Sequence, residues 1–358
     1  MADSTATSAG TYDRLARLPL VVDGCRRERL ELEVSSEFRR VTTVVRLSGG
    51  GHEGIGEDVT YAPEAHDDPG RVAAEGDWET FDAYSEHVGS LQLFDGPPAF
   101  AVYRNYRRWA YESAALDLAL RQAGLSLADA LGREPAPLTF VVSLRLGEPP
   151  NVGLVRSWLE LHPALRFKLD PTSSWDEAVV SELAATAAVD VADLKGAYRG
   201  TAVDQPADAR LYRLVAEGFP QAWIEDPDLE DPESRAMLEP HRERITWDAV
   251  IHSVEDIRAL PFPPRMLNVK PSRFGSVRAL LETYDYCAAA GISLYGGGQF
   301  ELGPGRGQIQ YLASLFHPTA PNDVAPGAFN VPPPRPGLPG PPLAATPASV
   351  GFRWGAES

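Results

Sequence analysis

The sequence predicts an α/β protein: a (β/α) barrel preceded by an α+β domain and followed by an extended, Pro-rich tail. From about residue 136, short apolar segments alternate with helical segments, a pattern typical of a parallel sheet. Seven or eight such units in roughly 190 residues favour a closed barrel over an open sheet. The length of 358 residues also fits two domains or one large barrel with additions.

The residues before the barrel are predicted to form strands and then a long helix. Alternating residues 30–34 and β-branched residues 41–47 predict two strands, and residues 104–123 predict a helix that ends at Gly124. Residues 65–100 are acidic and irregular. We therefore predict a disordered N-terminus (1–15), an α+β domain (16–133), a barrel (134–320) and a tail (321–358).

Within the barrel, seven strands and seven helices are predicted. The strands are 138–144, 164–168, 189–195, 221–225, 245–248, 266–270 and 292–295. The helices are 152–161, 174–186, 208–217, 231–244 (with Pro240 as a candidate break), 253–260, 275–290 and 307–315. Ser174 followed by Glu177 predicts a capping box at the start of the second of these helices.

Composition limits the partners and the compartment. The net charge of −17 argues against a nucleic-acid partner, although a local cluster of cations can still bind a small anion. The two cysteines lie far apart in the sequence, which favours a reducing cytoplasm over a disulfide framework. We see no signal-peptide core and no apolar run of about 18 residues, so no membrane partner is expected. The oligomeric state stays open, a homo-oligomer included.

Charged residues recur where five successive predicted strands end. They are, in order, Lys168, Asp193, Glu225, Asp248 and Lys270. Because the functional mouth of a barrel lies at the C-terminal ends of its strands, these side chains are expected to meet there. Three carboxylates suit one hard divalent cation, Mg²⁺ in particular, and without it they would raise one another's pKa values. The alternative is that each charge forms an ordinary ion pair at the rim.

The two lysines are candidates for proton transfer. A lysine acts as a base only when its pKa is lowered, which burial and nearby cations achieve. Arg166 is two residues before Lys168, so strand alternation predicts that both point the same way and that Arg166 lowers the pKa of Lys168.

These residues resemble motifs of the enolase superfamily, specifically its muconate-lactonising subgroup, with the o-succinylbenzoate synthases and dipeptide epimerases. The resemblance is carried by Gly54-Ile-Gly-Glu57, Ala115-Leu-Asp-Leu-Ala-Leu-Arg121, Arg166-Phe-Lys168, Trp223-Ile-Glu-Asp-Pro227, Thr246-Trp-Asp248, Asn268-Val-Lys270-Pro-Ser-Arg-Phe-Gly275 and Gly296-Gly-Gly-Gln-Phe-Glu-Leu-Gly303. It implies a modified barrel whose N-terminal domain caps the mouth.

The resemblance also implies the chemistry. One Mg²⁺ would be held by Asp193, Glu225 and Asp248, while Lys168 and Lys270 would act as opposing acid and base on the α-proton of a small carboxylate substrate, through an ene-diolate. Dehydration, racemisation or epimerisation, and cycloisomerisation all stay open, as does a metal-binding protein that has lost catalysis.

This sequence departs from the family pattern in three places. Position 166 is Arg rather than Lys, and arginine keeps its proton. Lys195 replaces the usual Asn, and it either binds a substrate carboxylate or pairs with a protein carboxylate without a chemical role. The long segment 196–206 leaves Asp190 as an alternative first metal ligand. With Asn268 and Glu301, Arg166 and Lys195 form the predicted substrate-binding or tuning set, and the extra cations suggest a substrate with more than one anionic group.

Overall fold

A computed structural model describes residues 10–35, 38–67, 72–201, 203–331 and 333–355. Its strands are β1 (Leu20–Val22), β2 (Gly24–Ser35), β3 (Phe38–Gly49), β4 (His52–Asp58), β5 (Gly76–Trp78), β6 (Val142–Leu144), β7 (Phe167–Leu169), β8 (Val189–Asp193), β9 (Trp223–Glu225), β10 (Ile245–Thr246), β11 (Met266–Val269) and β12 (Ser293–Gly296). Its α-helices are α1 (Asp13–Ala16), α2 (Phe81–Ser90), α3 (Tyr103–Ala123), α4 (Leu127–Leu131), α5 (Gly153–Leu161), α6 (Glu177–Ala184), α7 (Ala209–Gly218), α8 (Pro232–Leu238), α9 (Val254–Ala259), α10 (Pro271–Phe274), α11 (Val277–Ala290) and α12 (Pro304–Phe316). Three 3₁₀ helices span Pro63–His66, Glu239–Arg244 and Gly327–Asn330.

The N-terminal part is an antiparallel sheet packed on one long helix. Strands β2, β3 and β4 are neighbours in that order, and α3 packs against β4. Glycine is required at Gly54 and Gly56 of β4, because a Cβ there would lie 2.2 Å from the carbonyl oxygen of Ala114 and 2.1 Å from that of Ala110. The motif thus permits a strand and a helix to approach more closely than side chains would allow.

The C-terminal part is a ring of parallel strands. One sheet has the order β10-β9-β8-β7-β6, and a second pairs β11 with β12. The Asn268 amide donates to the Trp247 carbonyl over 3.0 Å and joins the two sheets. The segment Asn322–Asp323 completes the ring through bridges to Phe140 and to Gly297. The predicted α/β fold class with a (β/α) barrel is confirmed.

Two connections tie the N-terminal sheet to the glycine-rich loop after β12. Glu57, at the end of β4, accepts hydrogen bonds from the amides of Leu302, Gly303 and Gly305 at the start of α12. Arg40, on β3, donates to the carbonyls of Gln299 and Phe300. The barrel mouth is therefore formed partly by groups held from the N-terminal sheet.

Several local predictions are wrong. Disorder was expected through residue 15, but Tyr12 and Leu15 are buried, and α1 begins at Asp13; residues 1–9 lie outside the described part. The irregular acidic stretch contains α2, whose N-cap is Thr80. The predicted capping box does not form, because Asp176 rather than Ser174 caps α6 by accepting from the Val179 amide. The break expected at Pro240 does form, because residues 231–244 divide into α8 and a 3₁₀ helix just before that proline.

The tail crosses back over the earlier elements. Leu343 pairs with Leu138, and the Phe352 amide donates to the buried carboxylate of Asp117 on α3 over 2.7 Å. Arg353 pairs with the same carboxylate at 2.8 Å. The limits of the other three predicted segments stay predictions. Among the described helices, none has the length and the apolar character that crossing a membrane requires.

Candidate active site

The predicted strand-end charges meet at one end of the barrel. Asp193 ends β8, Glu225 ends β9, and Asp248 follows β10 by two residues. Each of the three offers a carboxylate oxygen, and these oxygens all lie within 4.8 Å of one another. Parallel strands in one ring bring successive C-terminal ends together, so residues about 25 apart in sequence become neighbours. All three side chains are completely buried.

Lys168 and Lys270 contact this carboxylate group at different members. The ammonium of Lys168, in β7, lies 2.9 Å from Asp193 Oδ2 and forms a second ion pair with Glu225. The ammonium of Lys270, directly after β11, lies 2.7 Å from Asp248 Oδ2. The two lysines therefore pair with different carboxylates of the group.

Three further side chains of the site were missed by the sequence analysis. The Tyr295 hydroxyl donates to Glu225 Oε2, and the Tyr198 hydroxyl donates to Asp248 Oδ2 over 2.5 Å. Arg273 donates to the Tyr198 hydroxyl over 3.0 Å, and its Nε lies 3.2 Å from Asp248 Oδ1. Tyr295 is itself on a barrel strand, and a search of the strand ends that included hydroxyl groups would have found it.

The carboxylates have divergent pKa values although they share one pocket. Burial and the neighbouring Asp193 raise the pKa of Glu225 well above its usual value. Burial acts to raise the pKa values of Asp193 and Asp248 as well, but nearby cations outweigh it and both pKa values fall. The cations are Lys168 and Lys195 for Asp193, and Arg273 and Lys270 for Asp248. The predicted mutual increase is therefore correct for Glu225 and wrong for the two aspartates.

A lower pKa of Lys168 is predicted from burial, Arg166 and a bound cation together, but the groups of the protein alone raise it. Burial favours the neutral amine, but the carboxylates of Asp193 and Glu225 outweigh it and hold the pKa well above the usual value. The expected contribution from Arg166 is missing, since that side chain pairs with Asp190 and with the Ala187 carbonyl. The Arg166 side chain is 40% exposed, against 1% for Lys168.

Arg166 lies outside the strand that carries Lys168. Strand β7 begins at Phe167, so the alternation of a strand does not extend to Arg166. The neighbouring strand has a bulge at this point: Phe167 pairs with Val189, but Lys168 pairs with Val191, so β8 has one extra residue, Asp190. Asp190, the alternative first metal ligand, pairs with Arg166 and lies outside the carboxylate group.

The other predicted tuning residues have separate positions. Asn268 lies within the site, where its amide nitrogen donates to Glu225 Oε1 over 3.2 Å. Lys195 pairs with Asp193. Glu301 instead accepts from the Gln299 amide and pairs with Arg306 at 3.2 Å, in the loop that Glu57 and Arg40 hold.

Asp226 connects two of the ligand-bearing strands. Its carboxylate accepts from the amides of Asp248 and Ala249 over 2.9 and 2.8 Å. Burial and the nearby Asp248 and Asp193 raise its pKa to about 7. Its φ of 46° lies in the left-handed region, which an aspartate tolerates better than most residues. The strained residue after Glu225 thus fixes the start of the segment that carries Asp248.

The donor set fits a hard divalent cation. Asn268 Oδ1 is buried and has no hydrogen-bond partner in the described structure, whereas the buried Asp248 Oδ1 has the ion pair with Arg273 Nε at 3.2 Å. Buried oxygens without a donor are costly unless something else satisfies them. Carboxylate and amide oxygens are the ligands that Mg²⁺ and similar ions prefer. The geometry therefore accommodates a metal held by Asp193, Glu225 and Asp248.

Lysine itself is rare in this protein. The sequence contains 3 lysines against 30 arginines. The three, Lys168, Lys195 and Lys270, are all buried, and each forms an ion pair with a carboxylate of the group. All other permanently basic residues of the sequence are arginines, so the lysines are confined to the carboxylate group.

Comparisons with known proteins agree with this geometry. Residues 134–331 match the family model described as "Domain of unknown function (DUF8230) C-terminal domain", and residues 13–130 match the corresponding N-terminal domain. An o-succinylbenzoate synthase from Bacillus subtilis is 28% identical over 239 residues, 64% of this chain and 62% of that protein. An N-succinylamino acid racemase from Amycolatopsis is 30% identical over 241 residues, 64% of this chain and 63% of that protein. The chain thus matches less than two thirds of the length of either relative.

Solved structures show the same fold. An enolase-superfamily member from Listeria innocua superposes with a TM-score of 0.62 at 18% identity, over 86% of both chains. A muconate cycloisomerase from Pseudomonas fluorescens gives 0.61 at 21% identity, over 86% of this chain and 87% of that one. The predicted resemblance to the enolase superfamily is confirmed, together with the barrel and the N-terminal domain.

Proposed function

We propose that this chain, which belongs to the DUF8230 family and has the enolase-superfamily fold, is a metal-dependent enzyme that removes the proton α to a carboxylate. One observation carries the proposal. Three buried carboxylates whose oxygens lie within 4.8 Å of one another are flanked by two buried lysines. A structural ion-pair network would not require three carboxylates to share one space, because their mutual repulsion is costly.

Asp193, Glu225 and Asp248 would hold the cation, for which we propose Mg²⁺. When bound, it supplies positive charge that stabilises the negative charge developing on the substrate carboxylate. The same positive charge would offset the carboxylates that now raise the pKa of Lys168. Tyr198 and Tyr295 orient two of the proposed ligands through their hydroxyl hydrogen bonds.

Lys168 and Lys270 are the proposed acid and base. They contact different carboxylates of the group, so a substrate bound between them would present one face to each amine. The neutral amine of one lysine takes the α-proton, and the ammonium of the other can return a proton from the opposite side. Return of a proton to the α-carbon gives racemisation or epimerisation, whereas transfer of a proton from an ammonium to a β-hydroxyl group, which then leaves as water, gives dehydration.

The substrate we propose is a small carboxylate. The names of the relatives, o-succinylbenzoate synthase and N-succinylamino acid racemase, support succinylated compounds as the first to test. Lys195 adds a cation beside the site and is consistent with a second anionic group on the substrate. Cycloisomerisation is a further reaction of structural neighbours and belongs in the same screen.

Deuterium exchange at the α-carbon tests this function. The purified protein with Mg²⁺ in D₂O is incubated with both enantiomers of N-succinylamino acids and with β-hydroxy carboxylates, and the α-proton signal is followed by NMR. We expect exchange by the wild type and a loss of about 10²–10⁴-fold in Lys168→Ala and Lys270→Ala, typical of removing an acid or base. For two-base chemistry, each variant should lose exchange mainly with one enantiomer.

Arg166→Ala is the matched control, since that side chain lies outside the carboxylate group. The rate of α-proton exchange by this variant should be within a few-fold of the wild-type rate. If both lysine variants exchanged at the wild-type rate, the assignment of acid and base would be wrong. If the wild type exchanged no substrate of the screen while still binding Mg²⁺, a metal-binding protein without catalysis would replace the enzyme.

A further inference from the structure

Lys195 lies between two carboxylates that belong to different strands. Its ammonium pairs with Asp193 Oδ2 on one side and lies 3.6 Å from Asp170 Oδ1 on the other. Asp170 directly follows β7, and its second oxygen accepts from Arg145 Nε over 3.0 Å. The side chains of Lys195 and Asp170 are 11% and 12% exposed, so neither is an ordinary surface group.

Asp193 and Asp170 differ in how closely they contact Lys195. Asp193 receives both its ammonium and its backbone amide, the latter at 3.2 Å. Asp170 Oδ1 is buried and has no hydrogen-bond partner among the described residues, although the ammonium is close to it. Asp170 therefore provides an incompletely satisfied acceptor within a short movement of the lysine terminus.

The backbone at Lys195 points to a side-chain role. Its φ of 55° lies in the left-handed region, which costs a lysine on the order of 1 kcal/mol and which asparagine tolerates better. The ion pairs of the ammonium offset that cost. Replacing Lys195 by Asn should therefore keep this backbone while removing the charge, which makes it a clean variant.

Lys195 and a metal ion compete for the same carboxylate. Asp193 is one of the three proposed ligands, and its Oδ2 already contacts the ammonium groups of Lys168 and Lys195. A divalent cation at Asp193 repels a neighbouring ammonium, and the repulsion is strong in a buried site. Lys195 then needs another anion, and Asp170, whose Oδ1 is 3.6 Å from the ammonium, lies within its reach.

We propose that Lys195 is a counterion switch, paired with Asp193 in the metal-free protein and with Asp170 when a divalent cation occupies the carboxylate group. The switch sets metal affinity and directs the ammonium away from the ligand. This inference rests on the proposed function, because it takes Asp193 as a metal ligand.

The metal affinities of three single variants and one double variant test the switch. Mg²⁺ and Mn²⁺ binding are measured by calorimetry, without substrate. Lys195→Asn should bind about tenfold more tightly, because no ammonium has to be displaced. Asp170→Asn should bind several-fold more weakly, because the displaced ammonium loses its second partner. Lys195→Arg keeps a cation beside Asp193 and should bind no more tightly than the wild type.

The double variant separates a switch from simple electrostatics. If Asp170 acted only through its own negative charge, adding Asp170→Asn to Lys195→Asn would weaken binding as much as it does in the wild type. For a switch, Asp170→Asn has no effect once Lys195 is absent. Equal effects of Asp170→Asn in the two backgrounds would overturn the proposal.

The rarity of lysine offers a direct structural readout. Protein labelled with ¹³C,¹⁵N-lysine has three side-chain signals, which Lys195→Asn, Lys168→Ala and Lys270→Ala assign. Titration with Mg²⁺ should shift the Lys195 signal in the wild type and shift it differently in Asp170→Asn. A Lys195 signal that is unchanged by saturating Mg²⁺ would refute the switch.

The two proposals fail in different ways. If the wild type bound neither ion and Asp193→Asn made no difference, the metal site of the proposed function would be wrong. If the wild type bound Mg²⁺ and Lys195→Asn left the affinity unchanged, the metal site would stand and the switch would be wrong.

Discussion

Replacing Arg40 by methionine should weaken the connection between the N-terminal sheet and the barrel mouth. The guanidinium is almost fully buried. It donates five hydrogen bonds, to the carbonyls of Val41, Val59, Thr60, Gln299 and Phe300 at 2.7–3.1 Å. It also lies 4.2 Å from the centre of the Tyr61 ring. Methionine keeps much of the apolar stem and removes every donor.

The expected loss follows from these contacts. A hydrogen bond from a charged donor contributes roughly 1.5–3 kcal/mol, and a buried carbonyl left without a donor costs about 1–3 kcal/mol. Burial of the guanidinium itself is costly, and the variant recovers that part. We therefore expect a net loss of about 4 kcal/mol in the free energy of unfolding, well below the sum of five separate bonds.

Arg39→Met is the matched control. Arg39 is the neighbouring residue on β3, its side chain is 48% exposed, and its ion pair with Glu31 spans 3.3 Å. An exposed pair of this kind contributes about 0–1 kcal/mol. Urea unfolding of both variants, followed by circular dichroism, compares the midpoints at equal slope. A difference below about 1 kcal/mol between Arg40→Met and Arg39→Met would refute the argument from buried donors.

Two further predictions concern the closure of the ring and the tail. Burial lowers the pKa of His317 to about 4, although Asn322 bonds to its ring, so the protein should lose stability as the pH falls from about 6.5 toward 4, by up to roughly 3 kcal/mol. His317→Gln should remove that part of the pH dependence of the urea midpoint, and an unchanged profile would contradict the assigned pKa. Asp117→Asn should weaken the attachment of the tail by about 2 kcal/mol, because the Arg353 guanidinium loses its anionic partner. Trypsin should then cleave after Arg353 faster than in the wild type, and equal rates would show that Asp117 does not hold the tail.

Much of the candidate site could be predicted because the fold converts sequence order into position. Once seven strands are known to be parallel and in one ring, the last residues of neighbouring strands must be close. That rule alone was enough to predict that Asp193, Glu225 and Asp248 lie together, and it does not depend on the exact limits of the strands. Predicted strand 189–195 ends at Asp193 in the structure, yet Asp193 still faces the group.

The remaining features depend on information that no strand pattern contains. The position of Arg166 depends on where β7 begins, since Arg166 precedes its first residue, Phe167, and pairs with Asp190 at a bulge of the neighbouring strand. Tyr198 and Arg273 come from a loop and from the short helix α10, and they meet at Asp248 only after the chain has folded. The local pattern of residues in the sequence does not predict such contacts, because their partners are 25 to 75 residues apart.

The contrast between lysine and arginine is a compositional signal that does identify the site. Arginine keeps its proton at any physiological pH and binds carboxylates through a rigid planar fork, so it suits permanent ion pairs such as Arg107 with Asp58. Lysine can lose its proton when its surroundings change, and its single ammonium can move between partners. The protein has 30 arginines and three lysines. All three lysines lie at the buried carboxylates, where the two proposals require a cation that releases a proton or changes its partner.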